Sequence, residues 1–385
     1  MDRNLRDLTE TRCFSKKPIT LTMSARSVPC HDISRALIIK LRHLGDVLLT
    51  SPVFSALKHA APQCEIDALI YDECIDMLSG HPDIAEIHTI RRNREKQGAL
   101  AQAAVEWALF RKLKLRKYDL IVHLTDSWRG AWLARFLRPR FSIALFSALH
   151  PPPKFWTRSF THLAPSPPLG NRHTVECHLD ALRALGIHPS TKLRKLSFHI
   201  SATDRLSVRQ LLADRGVFES RYIHIHPTSR WLFKAWTVDG YAELIARLND
   251  LGYQVVLTAG PSPREMALAA SIVQRCRVAP IDLAGQLTLK QLGAVIASAR
   301  LSICIDSAPM HMAAALGTPV IALFGPSNEH EWGPWQVPHR IIHSDHACRP
   351  CRLDGCGGGK ISECLTELNV ATVMKAIESL LSETM

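Results

Sequence analysis

The sequence predicts an α/β protein of two doubly wound domains that face each other across a cleft, and three observations carry that expectation. Apolar strand-like runs alternate with amphipathic helix-like stretches from residue 35 onward. The runs themselves, such as 36–41 and 301–305, are short and predominantly apolar, as strands covered on both faces require. A chain of 385 residues is also longer than one core serves well, which points to two domains. The 46% hydrophobic and 21% charged content is that of a soluble globular protein. No apolar run approaches the ~18 residues needed to cross a bilayer, and the first residues lack the apolar core of a signal peptide. A cytoplasmic location is therefore expected. The 11 cysteines are odd in number and scattered, so reduced thiols are expected in place of a disulfide framework.

Residues 1–34 mix Arg, Lys, Ser and Thr without a period and read as a flexible basic leader, within which Met23 offers an alternative start. The first domain, 35–190, is expected to hold strands at 36–41, 66–71, 119–124 and 141–145. Its helices fall at 46–59, 99–115 and 128–137. The proline clusters 151–153 and 165–168 break this rhythm and read as an interdomain segment. After a helix at 173–185, the second domain, 191–385, repeats the pattern. Its strands are expected at 196–200, 222–226, 254–258, 301–305 and 320–324, and its helices at 206–215, 238–251, 264–274 and 289–298. A final amphipathic helix at 370–381 is expected to pack back across both domains.

Open parallel sheets bind ligands beyond the carboxyl ends of their strands, so the residues that follow each strand are the candidates for a site. After 301–305 come Asp306 and Ser307, good N-cap residues, and then Pro309 in a first helical turn. The free N–H groups of that helix start, with Ala308 and His311 one turn in, would suit an anion. An ordinary crossover with a capped helix reads equally well. After the first strand, Gly45 permits a close approach, and Asp46 is either a plain N-cap or a carboxylate placed to accept a hydroxyl proton. After 222–226, Thr228, Ser229, Arg230 and Lys234 could grip a diphosphate, or Lys234 could be a surface lysine between two core tryptophans. Glu265 falls in the first turn of a helix, where it would accept ribose hydroxyls or complement the dipole. No Gly-x-Gly-x-x-Gly is present.

The net charge of +12 calls for an anionic partner. Basic clusters lie at 91–96 and 111–117, the second a helix end suited to anionic lipid, or simply a solvated face. Nucleic acid is not expected, because no helix-turn-helix, zinc-finger or RNP-like motif accompanies the charge. Near the C-terminus, Cys348, Cys351, Cys356 and Cys364 could hold a structural zinc ion, although a reduced or partly oxidised loop is the favoured reading.

Taken together, the Gly45-Asp46 turn, the 234–236 segment, the 260–265 turn and the run from Asp306 through His311 to Ser327 resemble glycosyltransferase family 9, the heptosyltransferases of lipopolysaccharide core assembly. The likeness spans residue 35 to the C-terminus. It implies the GT-B fold, with two Rossmann-like domains and ADP-heptose as donor, held mainly by the second domain. It also implies that no cofactor or metal is required. Asp46 then looks like the general base. Lys234, Asp306, Ser307, Ala308 and His311, helped by Thr228 and Ser229, would hold the diphosphate, and Glu265 the ribose. Within the family the likeness is greatest to the heptosyltransferase III branch, through Arg42-His43, the 123–132 segment and 172–176. Arg42, His43 and Arg129 are accordingly expected to meet an anionic inner-core lipopolysaccharide acceptor, with the enzyme peripheral to the cytoplasmic face of the inner membrane. Heptosyltransferases I and II, a nucleotide-sugar epimerase and a non-catalytic polyanion-binding module are the other readings.

Overall fold

The computed structural model describes residues 28–92, 99–147, 152–166 and 172–384. Residues 1–27 of the expected leader, most of the 91–96 cluster and parts of both proline clusters lie outside the described residues. Two six-stranded sheets account for the architecture. The first contains β1 (Arg35–Ile39), β2 (Glu65–Tyr71), β3 (Glu86–Ile90), β4 (Leu120–His123), β5 (Phe141–Ser147) and β6 (His162–Ser166). The second contains β7 (Tyr222–His226), β8 (Gln254–Leu257), β9 (Ile281–Asp282), β10 (Leu301–Ile305), β11 (Val320–Leu323) and β12 (His339–Ile342). Every neighbouring pair is parallel. The central strands β7 and β10 are buried at every position, as strands covered by helices on both faces must be.

The strand orders are β3-β2-β1-β4-β5-β6 and β12-β11-β10-β7-β8-β9, so each sheet reverses direction at one place. In the first sheet that place lies between β1 and β4; in the second, between β7 and β10. The loops that follow these four strands therefore open into switch-point crevices. They carry Arg42 to Asp46, Asp126 to Arg129, Thr228 to Lys234 and Asp306 to His311. Topology alone thus collects most of the candidate residues.

Several expectations need correction. Residues 196–200 form no strand. Leu196, Phe198 and Ile200 are buried at alternate positions, which produced the strand-like signal, but the segment crosses between the halves and joins neither sheet. The amide of Ser197 instead donates to Ser51 Oγ at 2.9 Å. The stretch between the proline clusters is not an interdomain segment: it holds the helix Lys154–Thr157 and β6, which completes the edge of the first sheet, an edge being where a strand tolerates Pro165. The helix expected at 46–59 is two helices, Leu44–Leu48 and Ser51–Ala60, with Pro52 in the first turn of the second. Residues 28–34 do not behave as leader, since Val28 and Ile33 are buried and the Val28 amide bonds to Leu185 O. The last helix, Val370–Glu383, does not bridge the halves; its apolar face joins the core of the second sheet alone.

Candidate active site

Asp46 lies in the first turn of the short helix Leu44–Leu48 that follows β1. Its neighbour Gly45 is one place where the two halves touch. A Cβ on Gly45 would lie 2.9 Å from His311 Cδ2 and 3.7 Å from Ala308 Cα, closer to the ring than a methyl group fits. A bare backbone lets the Asp46 turn and the helix Ala308–Leu316 of the second half come together face to face. Behind Asp46 stands Lys40, a residue absent from the expected site. Its Nζ is 3.8 Å from Asp46 Oδ1 and donates to Leu124 O at 3.1 Å. It also donates to His178 Nε2 at 2.9 Å, because His178 Nδ1 is committed to Leu49 O at 3.1 Å. Burial pushes the Lys40 ammonium down to about 8, with the Asp46 carboxylate pulling the other way. Burial likewise holds His178 neutral well below its ordinary range. The signal for Lys40 was its position, a lysine at the carboxyl end of a strand with no route to solvent.

Across the gap, the helix Ala308–Leu316 begins at Ser307. The expected side-chain cap is not made: the Ser307 hydroxyl donates backward to Ile305 O at 3.2 Å and leaves the first turn of the helix without a side-chain acceptor. Asp306 does not cap it either. It faces Lys234, whose Nζ lies 2.5 Å from Asp306 Oδ2, with both groups mostly buried. Lys234 is therefore no surface lysine. It ends a short helical turn, Leu232–Lys234, and is directed back onto the start of the neighbouring helix. His311 is buried, its Nδ1 has no hydrogen-bond partner, and burial lowers its basicity while Asp306 and Asp46 draw it back. One compact group thus contains Asp46, Lys234, Asp306, the Ser307-Ala308 turn and His311.

A second group lies alongside. Thr228 donates to Glu265 Oε2 at 2.8 Å, and the Ser262 hydroxyl, which caps the helix Pro263–Arg275, donates to Glu265 Oε1 at 3.0 Å. Gly260 leaves room for this carboxylate, since a Cβ there would lie 2.7 Å from it. Ser229, Arg230, Leu232, Ser262, Arg264 and Glu265 line a cavity of about 340 Å3, within the range of small-ligand pockets. Ser229 itself is turned inward, its hydroxyl bonded to Trp231 O at 2.8 Å.

The three residues expected to meet an acceptor are less uniform. His43 Nδ1 accepts from Arg92 at 2.8 Å and from Arg230 at 3.1 Å, so it joins the two halves at the rim beside Asp46. These guanidinium groups, after burial, keep the imidazole below its ordinary range. Arg42 is paired with the exposed Asp126 at 2.9 Å. Arg129 is tied to Glu106 of the helix Ala99–Arg116 at 3.0 Å and does not join the Asp46 group. Nor do the four C-terminal thiols form a cradle: among the described residues, no three of Cys348, Cys351, Cys356 and Cys364 come within 4.8 Å of one another. Burial raises the Cys364 thiol to about 11. The described group that does meet that distance, Asp67, Glu86 and His88, is occupied by Arg116, Tyr118 and Lys112.

The glycosyltransferase family 9 (heptosyltransferase) profile matches residues 106–361, about two thirds of the chain. The chain belongs to this family. It is therefore a glycosyltransferase, and the two facing sheets are the family's GT-B fold. It is 40% identical to lipopolysaccharide heptosyltransferase 3 of Escherichia coli over 77% of its own length and 84% of that protein. A family 9 glycosyltransferase of Veillonella parvula superposes with a TM-score of 0.79 at 23% identity, covering 91% of this chain and 98% of that one. The Escherichia coli heptosyltransferase WaaC, solved with ADP, superposes with a TM-score of 0.69 at 19% identity, covering 90% and 99%. The family's chemistry, glycosyl transfer, is what a carboxylate facing an anion-ready helix start can perform.

Proposed function

We propose that this family 9 enzyme transfers heptose from ADP-heptose to the inner core of lipopolysaccharide with inversion, adding a branch heptose as a heptosyltransferase III, at the cytoplasmic face of the inner membrane. The observation that carries the reading is the Gly45 contact, which sets Asp46 against the helix start at Ser307. The identity to heptosyltransferase 3 supports the acceptor class, and ADP is the nucleotide in the WaaC structure.

In this reading the donor's ADP occupies the second half. Glu265 accepts the ribose hydroxyls beside the cavity that Ser229 and Arg264 line, while Thr228 holds Glu265 in place. The diphosphate meets the amide groups of the Ser307-Ala308 turn, the positive end of the helix dipole and the Lys234 ammonium. Asp306 is a positioning residue that aims Lys234. The acceptor hydroxyl enters from the Asp46 side. Its oxygen bonds to the anomeric carbon as the bond from that carbon to the phosphate oxygen breaks, the electron pair leaves with ADP, and Asp46 takes the hydroxyl proton. Fixed cations and N–H donors at the leaving group act where charge accumulates, so they stabilise the transition state more than the ground state. Because the attacking and departing oxygens lie on opposite faces of the sugar, one displacement inverts the centre. Arg42 and His43 at the rim meet the anionic acceptor.

The test is a transfer assay with ADP-heptose and truncated core acceptors of defined structure, followed by linkage analysis of the product. A new branch heptose on heptose II is expected. Transfer to a different core position would move the enzyme to another member of the family, and isomerisation of the donor without acceptor would refute transfer altogether.

A further inference from the structure

Six aromatic rings form a continuous strip on the outer surface of the first half. Trp107 packs on Phe110 at 5.7 Å between centroids, Phe110 meets Phe136 at 6.3 Å, and Phe136 stacks on Trp132 at 5.5 Å. Trp132 then meets Phe155 at 5.2 Å, and Phe155 stacks on Trp128 at 6.2 Å. The rings come from three separate elements: the helices Ala99–Arg116 and Trp128–Leu137 and the short turn Lys154–Thr157. Five of the six are more than 40% exposed, Trp107 reaching 61%. An apolar patch of this extent on a folded surface marks a contact with something else, because each ring left in water forgoes favourable burial.

Its surroundings select the contact. The Lys114 ammonium lies 5.8 Å above the Phe110 ring, and the Arg135 guanidinium 5.0 Å above Phe155. Arg111 on the first of these helices, and Lys117 and Arg138 just past the two helix ends, are exposed and have no carboxylate partner among the described residues. Tryptophan and phenylalanine interleaved with unpaired cations match the layered chemistry of an anionic bilayer surface, where rings settle at the headgroup level and cations meet lipid phosphates. The strip also starts where the chemistry is. Trp128 opens the helix that follows β4, and Asp126, two residues earlier, is bonded to Arg42 in the loop that carries Asp46.

Resting on the reading of a lipid-anchored acceptor, we propose that this aromatic strip is the surface by which the enzyme docks on anionic membrane, with the cleft rim turned toward the lipid. No helix among the described residues is long and apolar enough to cross a bilayer, so docking is interfacial.

The test uses the full chain with vesicles of phosphatidylglycerol and phosphatidylethanolamine, and phosphatidylcholine vesicles as the uncharged control. The wild type should sediment with the anionic vesicles only, weaken as salt rises, and show tryptophan quenching by brominated acyl chains. The variant Trp107→Ser/Trp132→Ser/Phe155→Ser should lose about tenfold or more in vesicle affinity, and Lys114→Glu/Arg135→Glu a comparable factor. Both should keep wild-type ADP binding and wild-type turnover of a deacylated, water-soluble acceptor. Wild-type vesicle affinity in the triple variant overturns the proposal. So does a wild-type dimer by light scattering that the variant abolishes, which would make the strip a self-association face, or salt-sensitive capture of RNA in place of vesicles. Because vesicle binding needs no turnover, its failure is distinguishable from failure of the heptosyl-transfer reading.

Discussion

A buried ammonium is costly to a fold unless it does something there that a methyl group cannot, and Lys40 is such a group. The distance from its ordinary 10.5 to about 8 corresponds to about 3 kcal/mol against the folded state at neutral pH. What the fold gains is a fixed cation 3.8 Å behind Asp46, steadied by Leu124 O and by a His178 ring that stays neutral. The sign of the pH dependence follows. An unfolded Lys40 takes its proton near 10.5 and the folded one only near 8, so its cost is complete below pH 8 and disappears as pH rises toward 10.5. The wild type should therefore gain about 2 to 3 kcal/mol relative to Lys40→Met between about pH 7.5 and about pH 10. Urea denaturation of both proteins at the two pH values measures this, and a constant offset would show that Lys40 is not held as described. Asp46→Asn should lower turnover by about 10²- to 10⁴-fold, the range for loss of a general base, and leave ADP affinity within about twofold. Lys234→Met, by contrast, should weaken ADP binding as well, by about tenfold or more, because it removes a charge-assisted contact to the diphosphate and leaves Asp306 unpaired. Calorimetric titration with ADP beside a turnover assay separates the two. Equal loss of ADP binding in both variants would contradict the division of labour between the halves.

Two helix starts, at Leu44 and at Ala308, meet at one residue without a side chain, and the geometry of the reaction depends on that contact. Gly45→Ala would place a methyl group 2.9 Å from His311 Cδ2 and force the helices apart. A displacement of about 1 Å between reacting groups costs about 10²-fold in rate, so kcat should fall by that factor while ADP affinity, governed by the cavity in the second half, stays near wild type. Wild-type kcat in Gly45→Ala would mean that the contact does not set the reacting distance. This contact also marks how far the sequence could be read. The strand-to-helix transitions at 39–46, 226–234 and 305–311 were legible, since a buried strand followed by Gly, Pro, Asp or Ser announces where a sheet ends and a helix starts. Which of these turns would face one another was not, because Gly45 and His311 are 266 residues apart and nothing local couples them. Lys40 was missed because a lysine beside an apolar run ordinarily reaches solvent. The 196–200 segment misled because alternate burial reports two environments, and a connector pressed between two halves supplies them as well as a sheet does. β6 was hidden by its prolines, which an edge strand accommodates and a central strand does not.

The two halves share one continuous core, in which Ile38, Val47 and Phe54 of the first half form a single cluster with Leu292, Met310 and Val320 of the second. Polar contacts fasten the same seam. Lys290 donates to Ser79 O at 2.9 Å and to His199 O at 2.8 Å. His173 donates from Nε2 to Gly333 O at 2.9 Å with its ring stacked on Trp335, and Trp335 donates to Arg194 O at 2.7 Å. Buried histidines are distributed over every part of this assembly. Burial pushes His123 in the first half and His173 at the seam down to about 4, and His226 in the second half down to about 3. Each is neutral in the fold and has no room for a second proton, whereas in the unfolded chain it takes one near 6.5. Stability from these groups is therefore complete above about pH 6.5 and drains away as pH falls toward 4. Each contributes up to about 1.4 kcal/mol per pH unit, most steeply near about pH 5, so these three together remove about 4 kcal/mol between about pH 5.5 and about pH 4.5. That is a large share of the 5 to 15 kcal/mol that ordinarily separates a folded domain from its unfolded chain. Because the affected groups lie in both halves and at their junction, acid should not release one half ahead of the other. Denaturation followed by tryptophan fluorescence and by far-ultraviolet circular dichroism should give coincident transitions whose midpoint falls steeply with pH in this window. Two separated transitions would mean that the seam is too weak to couple the halves, and a midpoint insensitive to pH would mean that these imidazoles are hydrated and free to titrate.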